Sequence, residues 1–245
     1  MLRLLSFSMF LATWWIAALF AGGEMLPAPP AVLAAIIAAA NSGALFLNLG
    51  VTLARVALAF TLAMTLGTVI GYLMGRIRLA DRVGDFWLIL LLNLPALVVI
   101  VLAYIWAGLT EVAAITAIAI NKLPTAVVTV REGTRALDAA LDEMARVFAI
   151  PRWEAFRHVI LPQLAPYIAA AARSGLSLVW KIVLVAELLG RPNGVGFEIG
   201  VAFQLFDIPR LLAYSLSFVA VVLTIETVLV QPFETRISRW RPRAA

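Results

Sequence analysis

The stretch EMARVFAIPRWEAFRHVILP, residues Glu143–Pro162, is a polar interruption in an otherwise apolar chain. The 245 residues are 63% hydrophobic with a mean hydropathy of +1.00, against about 45–50% apolar for a soluble domain. A helix crosses a bilayer with about 20 apolar residues. Working outward from the polar stretch, six segments meet that requirement: Leu4–Gly22, Val51–Met74, Phe86–Trp106, Val112–Val130, Leu164–Leu189 and Leu211–Val230. They predict an all-α, polytopic transmembrane bundle of about six spans, forming a single membrane domain over residues 1–245. The largest polar loop, residues 131–163, lies between the fourth and fifth spans.

Composition excludes several kinds of chemistry. The chain has no cysteine and one histidine, His158. It therefore has no disulfide framework, no thiolate or histidine metal cluster and no cysteine nucleophile. No catalytic constellation is expected. The net charge of +5 does not point to nucleic acid, because the arginines sit in short clusters between apolar segments. Arg76, Arg78 and Arg82 fill one loop. Arg131, Arg135, Arg146, Arg152 and Arg157 fill the long one, and Arg236, Arg239, Arg241 and Arg243 fill the C-terminal tail. Only Arg191, Arg210 and Arg55 at a helix end fall on the other side. Positive loops remain in the cytoplasm, so both termini and the long loop are expected there, as an even number of spans requires. The first segment reads as an uncleaved helix. It has only Arg3 ahead of it, Trp14 and Trp15 in its middle and no clear A-x-A site after it. The loop from Glu24 to Gly50 lies outside. Pro29 and Pro30 break any helix there, and Ala31–Ala40 reads as a short interfacial helix.

Within the long loop, Leu137, Leu141, Met144, Ala145 and Phe148 recur at helical spacing. They predict an amphipathic helix over Leu137–Ile150, with Asp142 and Arg146 as an i,i+4 pair. Pro151 ends it and starts a second short helix carrying Trp153, Phe156 and Val159. Leu161-Pro162 then closes the loop before the fifth span. The apolar faces of these helices lie on a membrane surface or fill a groove in another protein.

The same stretch resembles the cytoplasmic "E-A-A, three residues, G, nine residues, I-x-L-P" loop of bacterial ABC-importer permeases. Glu143, Met144 and Ala145 stand at E-A-A, and Val159, Leu161 and Pro162 stand at I-x-L-P. Met144 replaces an alanine and Ala149 replaces the glycine. Further pieces resemble the nitrate/sulfonate/taurine branch of that family: LPAPPAVLAA, LNLPALVVIVLAYIWAGLTE (Leu92–Glu111), VAELLGRPNGVGFEIGVAFQLFD (Val185–Asp207) and RISRWRP (Arg236–Pro242).

The resemblance implies the type I permease fold of an importer in the bacterial cytoplasmic membrane. Its partners would be ATP-binding cassette subunits, an external substrate-binding protein, membrane lipid and a second permease, a copy of this chain or a different one. The loop would couple to the ATPase through Glu143, Met144, Ala145, Phe148, Ala149, Leu161 and Pro162. ATP and Mg would be bound by the ATPase, because this chain has no phosphate-cradling G-x-x-x-x-G-K-[ST] loop and no cofactor of its own. A negative φ is expected at Ala149, so that its replacement by glycine is neutral.

Charges also fall inside the spans. Glu187 and Glu226 lie near span ends, where side chains reach water. Lys122 is near the middle of the fourth span. Lys181 is eight residues from Leu189, about 12 Å along a helix. Both lysines either pair with Glu187, Glu226 or helix-end carbonyls, or line a translocation path for an anion together with Asn93, Asn121 and Thr125. The small-residue pair Gly67 and Gly71 marks close helix packing, inside the chain or against a second copy. Two other function classes remain beside the importer subunit: a stand-alone ion-coupled carrier, which leaves the loop without a purpose, and a membrane enzyme, for which the convergent groups are lacking.

Overall fold

The computed structural model describes residues 2–22 and 25–232. The arginine-rich tail and the RISRWRP stretch expected to be cytoplasmic lie outside the described residues, as does Glu24. Helix is the only regular structure among the described residues. The elements are α1 (Leu2–Ala21), α2 (Pro29–Asn41), α3 (Ala44–Arg76), α4 (Arg78–Asn93), α5 (Ala96–Ala107), α6 (Glu111–Arg135), α7 (Ala139–Val147), α8 (Arg152–Ala155), α9 (Leu161–Gly190), α10 (Val195–Gln204) and α11 (Ile208–Ile225).

Helix covers all six expected segments, but among the described residues four helices are long and apolar enough to cross a membrane, or five if the bent α4–α5 pair is one span, and Ser8–Ala21 of the first expected segment is shorter than that. The third span departs from expectation. Phe86–Trp106 is not one straight helix but α4 and α5, bent by 100° at Leu94-Pro95. Leu94 is extended (φ −73°, ψ 126°), the conformation a following proline ring imposes. The prolines before α2 also act differently from the expectation. Pro29 and Pro30 open that helix rather than break it, because the first helical turn needs no N–H donor.

The loop ahead of the fifth span is another correction. No second short helix is separated from the span. α8, a wide π turn at Phe156–Ile160 and α9 form one helix of 39 residues, Arg152–Gly190. Pro162 lies inside it. A proline in a regular α-helix collides with the carbonyl four residues back. The π turn, in which the Leu161 N–H reaches the Phe156 carbonyl, opens the ladder just ahead of Pro162 and lets the helix continue.

The described residues form two compact units, 2–22 and 25–54 with 184–223, and 55–183 with 224–232. In the second unit α3, α6 and α9 share a core of Met64, Ala126 and Ala171. Met74, Leu88 and Val127 join α3, α4 and α6. Gly67, Gly71 and Gly75 form a stripe along α3. A Cβ on them would overlap Ala126, Val130 with the Val127 carbonyl, and Thr134 respectively. The small-residue pair read from the sequence is therefore a seam within the chain, one residue longer than expected, and it seats α6 directly on α3.

Candidate functional site

α7 is built and held by polar contacts at both ends. Asp138 caps it, its carboxylate accepting the Ala140 N–H at 2.8 Å, as an N-cap aspartate does. The Asp138 N–H donates to Gln163 Oε1 at 3.0 Å, tying the cap to the start of α9. In the first turn, Asp142 accepts a bidentate pair of hydrogen bonds from Arg76 at the end of α3, with Nη2–Oδ1 at 3.2 Å. Arg76, not the expected i,i+4 neighbour, is thus the main partner of Asp142, and Arg146 adds only a weaker charge interaction. The hydrogen bond from Arg76 holds the Asp142 carboxyl below the usual carboxylate range. The Arg76 guanidinium lies over the Tyr72 ring, 5.9 Å from its centroid. Tyr72 meets Phe156 edge-on at 5.8 Å, and Phe156 stacks on Trp153 at 6.0 Å.

The helix is shorter than Leu137–Ile150 because Leu137 lies in the turn before the cap. Its end is a Schellman motif, with the Ile150 N–H on the Ala145 carbonyl (2.9 Å) and the Ala149 N–H on the Arg146 carbonyl (3.0 Å). That motif needs a left-handed residue, and Ala149 supplies it at φ 48°. The expected negative φ is overturned. The hydrogen-bonded turn outweighs the intrinsic preference of alanine.

The faces of α7 divide cleanly. Ala145 is buried against its own chain, whereas Glu143, Met144, Val147 and Phe148 are exposed, Phe148 at 73%. Val147 was not singled out from sequence, although it lies one helical turn after Glu143. Leu161 and Pro162 are exposed at the head of α9. Near the ends of α4 and α6, Arg131 pairs with Asp85 at 2.7 Å and Arg135 with Asp81 at 2.6 Å. These pairs bind α4 to α6.

The intramembrane charges divide into three groups. In the first unit, Glu187 does not reach water but is fully buried. Its carboxylate accepts from Thr52 Oγ1 (2.9 Å) and the Gly196 N–H (2.8 Å). Thr52 in turn accepts the Val195 N–H (2.9 Å), and Asn48 accepts that of Gly194 (2.7 Å). These contacts fasten the start of α10 to α3. Asn48 also donates to Glu198 at 3.1 Å, and Glu198 accepts from Arg210. In the second unit Arg55 is buried and forms a two-point pair with Glu111 at 2.8 and 2.7 Å.

Lys122 stands apart from both. It is 0% exposed and donates to Thr125 Oγ1 at 2.9 Å. Among the described residues it has no carboxylate partner, so the expected pairing with Glu187 or Glu226 is not made. Lys181 is exposed on the isolated chain. Asn93 and Asn121 each direct an amide N–H to their own helix, to the carbonyls of Ile89 and Ala117, at 2.8 Å.

The family model of the binding-protein-dependent transport system inner membrane component matches residues 65–233. The chain belongs to that family. It is 30% identical over 243 residues to a probable ABC transporter permease protein of Brucella abortus (strain 2308), covering 99% of this chain and 96% of the relative. It is 32% identical over 217 residues to a putative aliphatic sulfonates transport permease protein of Bacillus subtilis (strain 168), covering 89% and 78%. The crystal structure of an amino acid ABC transporter with histidines matches with a TM-score of 0.64 over 80% of this chain and 95% of that one, at 22% identity. This last likeness shows the shared permease fold. The family is one of inner-membrane transport permeases rather than enzymes, and the bent, polytopic all-α architecture is that of its type I members. The loop resemblance at Glu143–Pro162 lies within the matched region.

Proposed function

We propose that this permease forms the translocation path of an ATP-driven importer for a small anionic solute of the nitrate, sulfonate, taurine or aromatic-acid class. In this reading α7 is gripped by a cytoplasmic ATP-binding cassette subunit that carries ATP and Mg. An external binding protein delivers the solute, and a second copy of the chain completes the path. Both termini face the cytoplasm. The observation that carries the reading is α7 itself. It is fastened to α3 and α9 on one side and offers Glu143, Met144, Val147 and Phe148 on the other. An exposed aromatic anchor with an acidic neighbour suits a groove in a partner protein. The sulfonate name of the Bacillus relative supports the solute class.

The test is assembly and coupling with the ATPase. Glu143→Lys is expected to dissociate the ATPase or to uncouple ATP hydrolysis from uptake, and Phe148→Ala to weaken assembly by about 2 kcal/mol. Wild-type assembly and uptake in both variants would remove α7 as the coupling element.

A further inference from the structure

We infer that Lys122 is a concealed binding site for a small oxyanion, closed here by the backbone of α9 at Gly175 and opened when α9 draws away from α6. This rests on the anion-importer reading and adds to it a place, a lid and a signal for opening.

An ammonium carries three N–H donors. Lys122 directs one to Thr125 Oγ1 at 2.9 Å and is wholly removed from solvent. Among the described residues the other deeply buried charges are answered: Arg55 pairs with Glu111, Glu198 with Arg210, and the Glu187 carboxylate accepts from Thr52 and the Gly196 N–H. A buried cation without a counter-ion is unfavourable compared with an apolar side chain of the same size. The position therefore makes sense when the missing negative charge arrives with a ligand. A planar or tetrahedral oxyanion would take the two spare ammonium donors, and Thr125 keeps the ammonium in place.

The lid is specific. A Cβ at Gly175 would fall onto Cε, Nζ and Cδ of Lys122. Gly175 has no positive φ to explain its choice, so the glycine is there for clearance, allowing the α9 backbone to lie directly on the lysine. α6 is softened at the same point, because Pro124 leaves the Ile120 carbonyl without its helical donor. The signal also has a route. α9 is one continuous helix with α8, and its first turn is tied to the cap of α7 through Gln163. A displacement of α7 is therefore passed directly to the helix that covers Lys122.

The assembled importer in vesicles provides the test, with ethanesulfonate as the probe. Lys122→Met removes a buried charge, so the complex should still assemble and hydrolyse ATP. Ethanesulfonate uptake should fall about tenfold or more, and Lys122→Arg should restore part of it. The chain contains no cysteine, so Lys122→Cys gives a single thiol. An anionic thiosulfonate reagent should leave it unmodified in the resting complex and modify it when ATP and vanadate trap the ATPase. Gly175→Ala should depress uptake by wedging α9 off its seat. Lys122→Ala, which removes the side-chain atoms that a Cβ at position 175 would meet, should relieve the strain of Gly175→Ala without restoring uptake. Undiminished ethanesulfonate uptake by Lys122→Met, or a thiol at 122 modified equally in both states, would overturn the site and leave the coupling reading standing. A wild-type complex that takes up no ethanesulfonate would instead overturn the solute reading, and this inference with it.

Discussion

Ala149 carries the backbone conformation that glycine adopts without strain. A left-handed alanine costs about 1–2 kcal/mol, and glycine loses part of that gain through the greater freedom of the unfolded chain. Ala149→Gly is therefore expected to stabilise the permease by up to about 1 kcal/mol, read as a higher melting temperature of the purified protein. Phe206 repeats the situation after α10, at φ 55° and 84% exposed. The Asp207 N–H bonds the Ala202 carbonyl and the Phe206 N–H that of Phe203, the same Schellman closure. Its ring makes little use of burial, so Phe206→Gly should stabilise by a similar amount. A lower melting temperature in either variant would mean that the side chain earns more than its strained backbone costs. The positive φ of Phe206 is not legible in the sequence, and that of Ala149 was signalled only by the glycine that stands at its position in the resembling loop, a signal outweighed by the ordinary preference of alanine for a negative φ. Only the closed pair of hydrogen bonds forces the conformation.

At the scale of elements, the decisive feature is the fastening of α7. Asp142 and Arg76 are half-buried, and a bidentate pair of this exposure contributes about 1 kcal/mol. Asp142→Asn should cost that much and loosen α7 from α3. The ATPase should still bind the exposed face, but more ATP should be hydrolysed per solute moved. Normal stoichiometry in Asp142→Asn would show that α3 takes no part in coupling. The pH dependence has a definite sign. The folded Asp142 carboxyl is held below the unfolded value, so its contribution is complete above about pH 4. It disappears as pH falls through the folded value, because the folded state must then give up the bonds to Arg76. The difference in melting temperature between wild type and Asp142→Asn should therefore be constant near neutrality and shrink in acid. A difference that grows on acidification would exclude the pair as its source. The glycine stripe on α3 sets the other contact. Gly71→Leu should disrupt folding by several kcal/mol, because the added side chain meets the Val127 carbonyl and Val130.

At the scale of the whole molecule, Lys181 remains exposed on a chain that we propose works in pairs. Lys181→Met should leave folding intact, since no ion pair of Lys181 is present among the described residues. Uptake should fall more for anionic than for neutral analogues. An unstable variant that transports normally per folded complex would make Lys181 a structural partner instead. The kind of span was legible because about 20 apolar residues are needed to satisfy every backbone group inside a bilayer, whereas six spans were expected and four helices, or five with the bent α4–α5 pair, meet the requirement among the described residues. That requirement is local and is written into composition. The family was legible from Glu143, Met144, Ala145, Val159, Leu161 and Pro162 at fixed spacing together with the further resembling stretches in the same order.

Side-chain partners were not legible, because they depend on residues brought together from distant parts of the chain. Asp142 has Arg146 one turn away in sequence, yet the arginine that reaches it comes from the end of α3. Glu187 was expected to reach water near a helix end, and the return of the chain at Gly194–Gly196 buried it instead. Pro162 marked a helix boundary by its chemistry, and the π turn before it removed that boundary. The sequence alone therefore determined a polytopic all-α permease with one protruding loop, since hydropathy, charge placement and motif spacing act along the chain. Only the tertiary structure decided which charges are answered and which one, Lys122, is left covered by Gly175, because burial and pairing are properties of helices packed side by side.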